Sequence, residues 1–279
     1  MDILSVTSEC APLIKTGGLA DVVGALPAAL APLGITVRTL LPGYPAVTKK
    51  ISRKRAEITF DNLFGGPAKV RASNVDGLDL LVLDAPHLFD RDGAPYNDLD
   101  GKDWPDNAER FAALSFAAAQ IAGEGLKKWQ PDILHCHDWQ AGFAPDYLKK
   151  DFPDSAVKSV ITIHNVAFQG NVAADKLSSL QLPPERMTSE GFEYWGQISS
   201  LKAAITLADR ITTVSPTYAE ELLTPEFGMG LDGVLRSRRD VLSGILNGVD
   251  LDVWNPPFKT PAGKASHKEK LRKIGRAHV

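Results

Sequence analysis

Several strand-like runs in this sequence end on residues that could do chemistry. Lys15 with Gly17 and Gly18 follows the first apolar run, and His137 with Asp138 closes another. His164 with Asn165, then Ser215, then Asn247 close the later ones. In an open α/β sheet, ligands bind beyond the carboxyl ends of the strands, so this placement reads as a catalytic lobe. In Lys15-Thr16-Gly17-Gly18, paired glycines let the backbone approach a ligand closely. The head of the following helix offers unbonded N–H groups, and Lys15 adds a full positive charge. That set suits a phosphate or diphosphate. It lacks the three glycines of the dinucleotide fingerprint and the Gly-Lys-Ser/Thr ending of the P-loop, and standing alone it reads first as a plain turn with a surface lysine. His135 and His137 face one side of a strand, as a metal pair would, but no third ligand cluster is evident.

The elements that must hold these residues alternate between short apolar runs and helical patterns, as in a parallel sheet with crossover helices. Strands are expected at 3–7, 36–41, 133–136, 159–163, 211–214 and 244–246. Helical spacing runs from Leu19 to Leu30, with Pro27 inside it as a possible kink and Gly34 as the stop. Further helices are expected over 106–122 and 141–149. Between about 56 and 84 three strand-like segments, 57–60, 69–72 and 78–83, are punctuated by Gly, Pro and Asn, which suggests a small β-meander inserted in the frame. From residue 255 the chain turns Pro- and Lys-rich with no strand, a linker over 255–273. The last six residues, 274–279, resemble the in-frame translation of a sequencing adaptor, which marks them as a non-native tail on a truncated reading frame.

Composition narrows the classes. Hydrophobic residues are 44% and charged residues 23% of 279, an ordinary globular balance. A net charge of −3 leaves no basic stripe for nucleic acid. No run approaches the ~20 apolar residues of a membrane helix, and the N-terminus lacks the pattern of a signal peptide, so a cytoplasmic protein is expected. Cys10 and Cys136 are expected to be buried and reduced.

Lys15-Thr16-Gly17-Gly18-Leu19-Ala20-Asp21-Val22 resembles the N-terminal signature of bacterial glycogen and plant starch synthases. In the same order follow Leu41-Pro42-Gly43-Tyr44-Pro45, the run from Pro131 through His137-Asp138-Trp139 to Gly142, and Thr162-Ile163-His164-Asn165 through Gly170. Thr213-Val214-Ser215-Pro216, Phe227-Gly228-Met229-Gly230-Leu231 and Leu246-Asn247-Gly248-Val249-Asp250 complete the series. The likeness spans roughly residues 1–257. It implies transfer of glucose from ADP-glucose to the non-reducing end of an α-1,4-glucan with retention, without metal or other cofactor. It also implies a Rossmann-like α/β lobe, residues 1–254, forming half of a two-lobed GT-B fold whose nucleotide-gripping partner lobe is absent from this sequence.

Residue by residue, the likeness implies Lys15 on the donor diphosphate or glucosyl unit, Gly17 and Gly18 giving N–H groups to the distal phosphate, and Asp21 orienting the ribose or the loop. His164 approaches the glucosyl ring as hydrogen-bond donor or proton relay, with Asn165 as a sugar contact. Asp138 faces the cleft and accepts sugar hydroxyls, Trp139 stacks on a glucose face, and Tyr96 and Asn247 line the cleft. His164 and Asp138 are the catalytic candidates. A same-face substitution is expected, with positioning and charge stabilisation as the source of rate. On this reading the chain alone turns over no donor at a useful rate. The alternative is a lobe that binds α-glucan without transfer. A Rossmann oxidoreductase is disfavoured, since Leu40-Leu41-Pro42 stands where its ribose-binding acid would be, and sucrose synthase shares the fold but not Lys-Thr-Gly-Gly-Leu.

Overall fold

The computed structural model describes residues 1–51, 56–249, 255 and 258–276, with 271 and 273–276 described by backbone alone. Two compact units are present, Met1–Leu246 and Asn247–Val279.

The described residues of the first unit form twelve strands: β1 (Asp2–Val6), β2 (Thr36–Pro42), β3 (Ala56–Phe60), β4 (Ala68–Val75), β5 (Leu78–Asp84), β6 (Ile133–His137), β7 (Lys158–Ile163), β8 (Asn171–Ala173), β9 (Glu193–Tyr194), β10 (Gln197–Ser199), β11 (Arg210–Thr213) and β12 (Leu242–Gly244). Its helices are α1 (Gly18–Leu30), α2 (Pro45–Thr48), α3 (Pro86–Phe89), α4 (Asn107–Glu124), α5 (Ala144–Asp151), α6 (Ser200–Leu207), α7 (Pro216–Glu221) and α8 (Asp232–Ser237). Nine strands form one sheet in the order β12-β11-β7-β6-β1-β2-β5-β4-β3. From β12 to β5 every pairing is parallel. The inner strands are rich in apolar residues, and Leu4, Val6, Leu40, Leu41, Leu134 and Ile161 are fully buried, as in a parallel sheet packed within the fold.

Successive strands run outward from β1 toward β5, then return to its other side at β6 and continue to β12. The reversal lies between β1 and β6, and a crevice opens at the carboxyl ends of strands where such a switch occurs. The expected strands are all found, displaced by a residue or two, the last being Leu242–Gly244 rather than 244–246 because it registers with β11 at Ile211↔Leu242. The expected meander is present and belongs to the main sheet. Strands β3 and β4 add antiparallel to β5, which pairs with β2 and makes them the edge of the same sheet. Asp76-Gly77, both at positive φ, make the tight turn between β4 and β5.

Pro27 sits inside α1 without ending it, and Gly34 at φ 73 closes the short 3-10 turn that follows. The helix expected from 141 starts at Ala144, since residues 139–141 form a separate 3-10 turn. Gly142 in that turn lies so near α6 that a Cβ would stand 2.2 Å from the Ser200 carbonyl oxygen.

In the second unit residues 261–273 of the expected linker are helical. Helix α9 (Pro261–Arg276) begins at Thr260-Pro261. Thr260 Oγ1 accepts the Gly263 N–H at 3.1 Å, and proline at the first helical position suits the fixed φ there. Residues 250–254, which close the expected lobe, lie outside the described residues, as do 277–279 of the expected non-native tail. No helix among the described residues is long and apolar enough to cross a membrane.

Candidate functional site

Beyond β1, Thr7-Ser8-Glu9 leads into the glycine loop, and Glu9, a residue the motif reading passed over, organises it. Glu9 is 3% exposed. Its carboxylate accepts the Thr16 N–H, the Thr16 hydroxyl at 2.6 Å and the Gly17 N–H at 3.2 Å. The partial positive charge at the head of α1 is thus met first by the protein's own acid. Lys15 Nζ lies 2.7 Å from both Asp21 oxygens, with both side chains about half exposed. Of the two partners expected for Asp21, the loop rather than a ribose is the one it meets here, through Lys15. Gly17 and Gly18 are exposed, with nothing within 4 Å of where a Cβ would stand.

Glu9 also holds Tyr96. The phenol donates to Glu9 Oε1 at 2.5 Å and shares a 2.7 Å hydrogen bond with Ser8 Oγ. Burial pushes the Tyr96 hydroxyl far above its ordinary range, with Tyr44 and Glu9 adding to the effect. The loop that presents it is fixed from α4. Buried Arg110 donates from Nε to the Leu88 carbonyl at 2.7 Å and from Nη1 to the Pro95 carbonyl at 2.9 Å, while Asn107 Nδ2 donates to the Tyr96 carbonyl at 2.9 Å.

The ends of β6 and β7 are locked together. Asp138 follows β6 with φ 53 and ψ −170, a conformation that costs a non-glycine residue about 1–3 kcal/mol. Its N–H donates to the Thr162 carbonyl at 3.0 Å, and its Oδ1 accepts the backbone N–H of His164 at 2.7 Å and of Asn165 at 3.4 Å. Burial pushes the Asp138 carboxyl up to about 7; the two backbone N–H groups oppose that rise and the charge of Glu9 adds to it. The expected role, accepting sugar hydroxyls with both oxygens, is thereby narrowed, because Oδ1 is committed to the backbone.

His164 Nε2 lies 3.1 Å from His137 Nδ1, and His137 Nε2 lies 3.2 Å from Ser5 Oγ. The His135 ring stacks on His137 with centroids 4.2 Å apart, and its Nε2 lies 2.7 Å from Thr162 Oγ1. Burial holds His135 and His164 down to about 4, and it holds His137 well below its ordinary value with the other two imidazoles assisting. Burial thus favours the neutral form of all three. A neutral His164 fits the hydrogen-bonding role expected of it, whereas a relay through imidazolium would demand a charge that this burial disfavours.

Trp139 packs edge-on against Phe111 with centroids 5.0 Å apart, and Gly170 at φ 62 lies against its ring. Asn165 is exposed, its Oδ1 accepting the Ala167 N–H at 3.0 Å. Ser215 caps α7, its Oγ accepting the Tyr218 N–H at 3.0 Å, and Tyr218 Oη accepts the Val166 N–H at 3.1 Å. Glu9 thus joins Thr16, Gly17 and Tyr96, and Asp138 joins His164 and Asn165 beside Trp139. Asn247, expected to close the last strand, lies three residues beyond its end at Gly244; it is exposed and begins the second unit.

The starch synthase catalytic domain family matches residues 2–237. A glycogen synthase of Paracoccus denitrificans is 58% identical over 271 residues, which are 97% of this chain and 58% of that protein. A glycogen synthase of Jannaschia sp. is 58% identical over 277 residues with the same coverage. Among solved structures, the catalytic domain of starch synthase IV from Arabidopsis thaliana, bound to ADP and acarbose, superposes with a TM-score of 0.75 at 30% identity, over 98% of this chain and 58% of that one. The chain spans a little under three-fifths of the length of the relatives it matches.

Proposed function

We propose, starting from the fact that this chain belongs to the starch synthase catalytic domain family, that it is the acceptor-side lobe of an enzyme that moves glucose from ADP-glucose to the non-reducing end of an α-1,4-glucan with retention. A second lobe would hold most of the nucleotide. Two buried free cysteines suit a reducing compartment, and the cytoplasm is where we place it.

The observation that carries this reading is the turn His164-Asn165 at the end of β7, pinned by Asp138 from the end of β6, the strand that borders the switch point and leads into Trp139. A sugar ring needs hydroxyl partners held rigid and an aromatic or apolar face nearby, and this turn offers both. Neutral His164 donates a hydrogen bond to a sugar hydroxyl without delivering a proton, and exposed Asn165 offers its amide. The donor diphosphate faces the glycine loop. Freeing Lys15 from Asp21 to meet it costs little, since an exposed ion pair of this kind contributes about 0–1 kcal/mol. In the transfer, the acceptor hydroxyl oxygen bonds to the anomeric carbon as the bond to the diphosphate oxygen breaks, and the hydroxyl proton passes to the departing diphosphate. This lobe contributes positioning and hydrogen bonds to developing charge.

The reading is tested by joining residues 1–246 to the remaining length of the Paracoccus denitrificans relative and following labelled glucose from ADP-glucose into glycogen. A folded chimera that binds glycogen but transfers nothing would leave a glucan-binding lobe in its place.

A further inference from the structure

The hairpin of β9 and β10 turns through Trp195 at φ 52 and Gly196 at φ 79. A two-residue turn with both φ angles positive favours Asn-Gly, because a bulky side chain is strained at the first position. Here that position carries a tryptophan that is 85% exposed. The ring contributes nothing to the core and the backbone is strained to present it, so folding does not account for the residue. The tip is nonetheless held firmly. Tyr194 Oη donates to the Met229 carbonyl at 2.8 Å, and Gln169 Nε2 donates to the same oxygen at 2.9 Å. Beside Gln169 stands Phe168, 63% exposed, its N–H bonded to the Asn165 carbonyl. Strand β10 runs from this tip back to Ser200, whose N–H meets the Gly170 carbonyl and whose Oγ donates to the Trp139 carbonyl at 2.6 Å.

We propose that Trp195 and Phe168 form a stacking platform for the part of an α-1,4-glucan that lies beyond the sugar held at His164 and Asn165. The proposal rests on the glucan reading above. Exposed aromatic faces suit the apolar faces of successive glucose rings; Met229, 53% exposed, lies beside them through the Tyr194 and Gln169 hydrogen bonds, and continuity with the candidate site favours a glucan over a protein partner. The platform is continuous with the candidate site, because Phe168 closes the turn begun by Asn165. Four residues, Gly196 to Ser199, lie between Trp195 and Ser200, which holds the Trp139 carbonyl; at the usual rise the span is roughly 16 Å, so a short oligosaccharide at the candidate site falls short of the tip and a long one reaches it.

The test is calorimetric titration of this chain with maltotriose and with maltoheptaose, comparing the unaltered chain with Trp195→Asn and Phe168→Ala. Both side chains are exposed, and asparagine relieves the turn, so the Trp195→Asn variant should melt no lower than the parent. We expect maltoheptaose to bind the parent about tenfold more tightly than maltotriose. Trp195→Asn should abolish that difference while leaving maltotriose unchanged. Equal affinity for the two sugars, or a maltoheptaose affinity indifferent to Trp195→Asn, overturns the platform and leaves the site at His164 intact. Failure of the parent to bind either sugar overturns the platform and the glucan reading together. A change in sedimentation on Trp195→Asn without a change in sugar affinity makes the hairpin tip a self-association surface and overturns the proposal.

Discussion

Asp138 Oδ1 accepts the backbone N–H of His164 at 2.7 Å, which ties the end of one central strand to the end of its neighbour. The tie is made by a residue in a strained backbone conformation whose carboxyl is raised to about 7 by burial. Strain and a desolvated acid at one residue are what a site maintained for function at the expense of stability looks like.

The pH dependence of that cost has a definite sign. A carboxyl whose native value is raised contributes stability fully present below its ordinary value of 3.8, and loses it as pH rises through about 7. Asp138→Asn removes the titration while keeping an acceptor oxygen. In urea denaturation the variant should match the parent near pH 4 and exceed it at pH 8 by a few kcal/mol at most. His135 and His164, held down to about 4, contribute in the opposite sense: their stability is present above 6.5 and lost as pH falls through about 4, in parent and variant alike. A parent that gains on the variant between pH 5 and 8 would contradict the assignment.

Glu9→Ala leaves the Thr16 and Gly17 N–H groups and the Tyr96 hydroxyl without their acceptor. A loss of about 1–3 kcal/mol in unfolding free energy is expected. Glu9→Gln, which keeps one acceptor oxygen, should lose less. If the two variants unfold at the same urea concentration as the parent, the glycine loop is not held by Glu9.

Gly170→Ala places a Cβ 2.5 Å from the Trp139 ring at a residue with φ 62. Overpacking of this kind costs about 1–3 kcal/mol. Because the displaced group is Trp139, maltotriose affinity should fall along with the melting temperature. Retained affinity in a destabilised variant would remove Trp139 from the site.

Much of this arrangement was legible in the sequence. The strands and helices follow from apolar runs and helical spacing, and the strand-end residues His137, Asp138, His164 and Asn165 do converge because parallel strands end on one side. What local pattern could not show is long-range pairing. Glu9 meets Thr16 and Tyr96 across 7 and 87 residues, and nothing around Ser8-Glu9-Cys10 marks an acid that faces a helix terminus. The meander was visible as three strands, but its attachment to β2 depends on a sheet edge that no short window contains. Proline usually bends or ends a helix, yet α1 runs through Pro27 to Leu30. Trp195 is the reverse case: its strain is local, yet a lone tryptophan before glycine signals nothing until its exposure is seen.

Cys10 and Cys136 are buried, and burial pushes the Cys10 thiol up to about 12 and the Cys136 thiol further. Thiolate, not thiol, is the reactive form. Native protein should therefore leave both groups untouched by an aromatic disulfide reagent over minutes, and both should react in denaturant. Rapid labelling of either in native buffer would mean that the β1 or β6 end opens far more readily than its packing indicates.

The most direct measurement of the central claim is labelled-glucose transfer from ADP-glucose to glycogen by the chimera of residues 1–246 with the rest of the Paracoccus denitrificans relative, with and without His164→Ala. The account predicts transfer by the parent chimera and a fall of about 10²–10³ in rate for the variant, the scale of losing one well-placed donor. Equal rates in the two chimeras, with both folded, would contradict it, because the His164–Asn165 turn would then hold no reacting sugar.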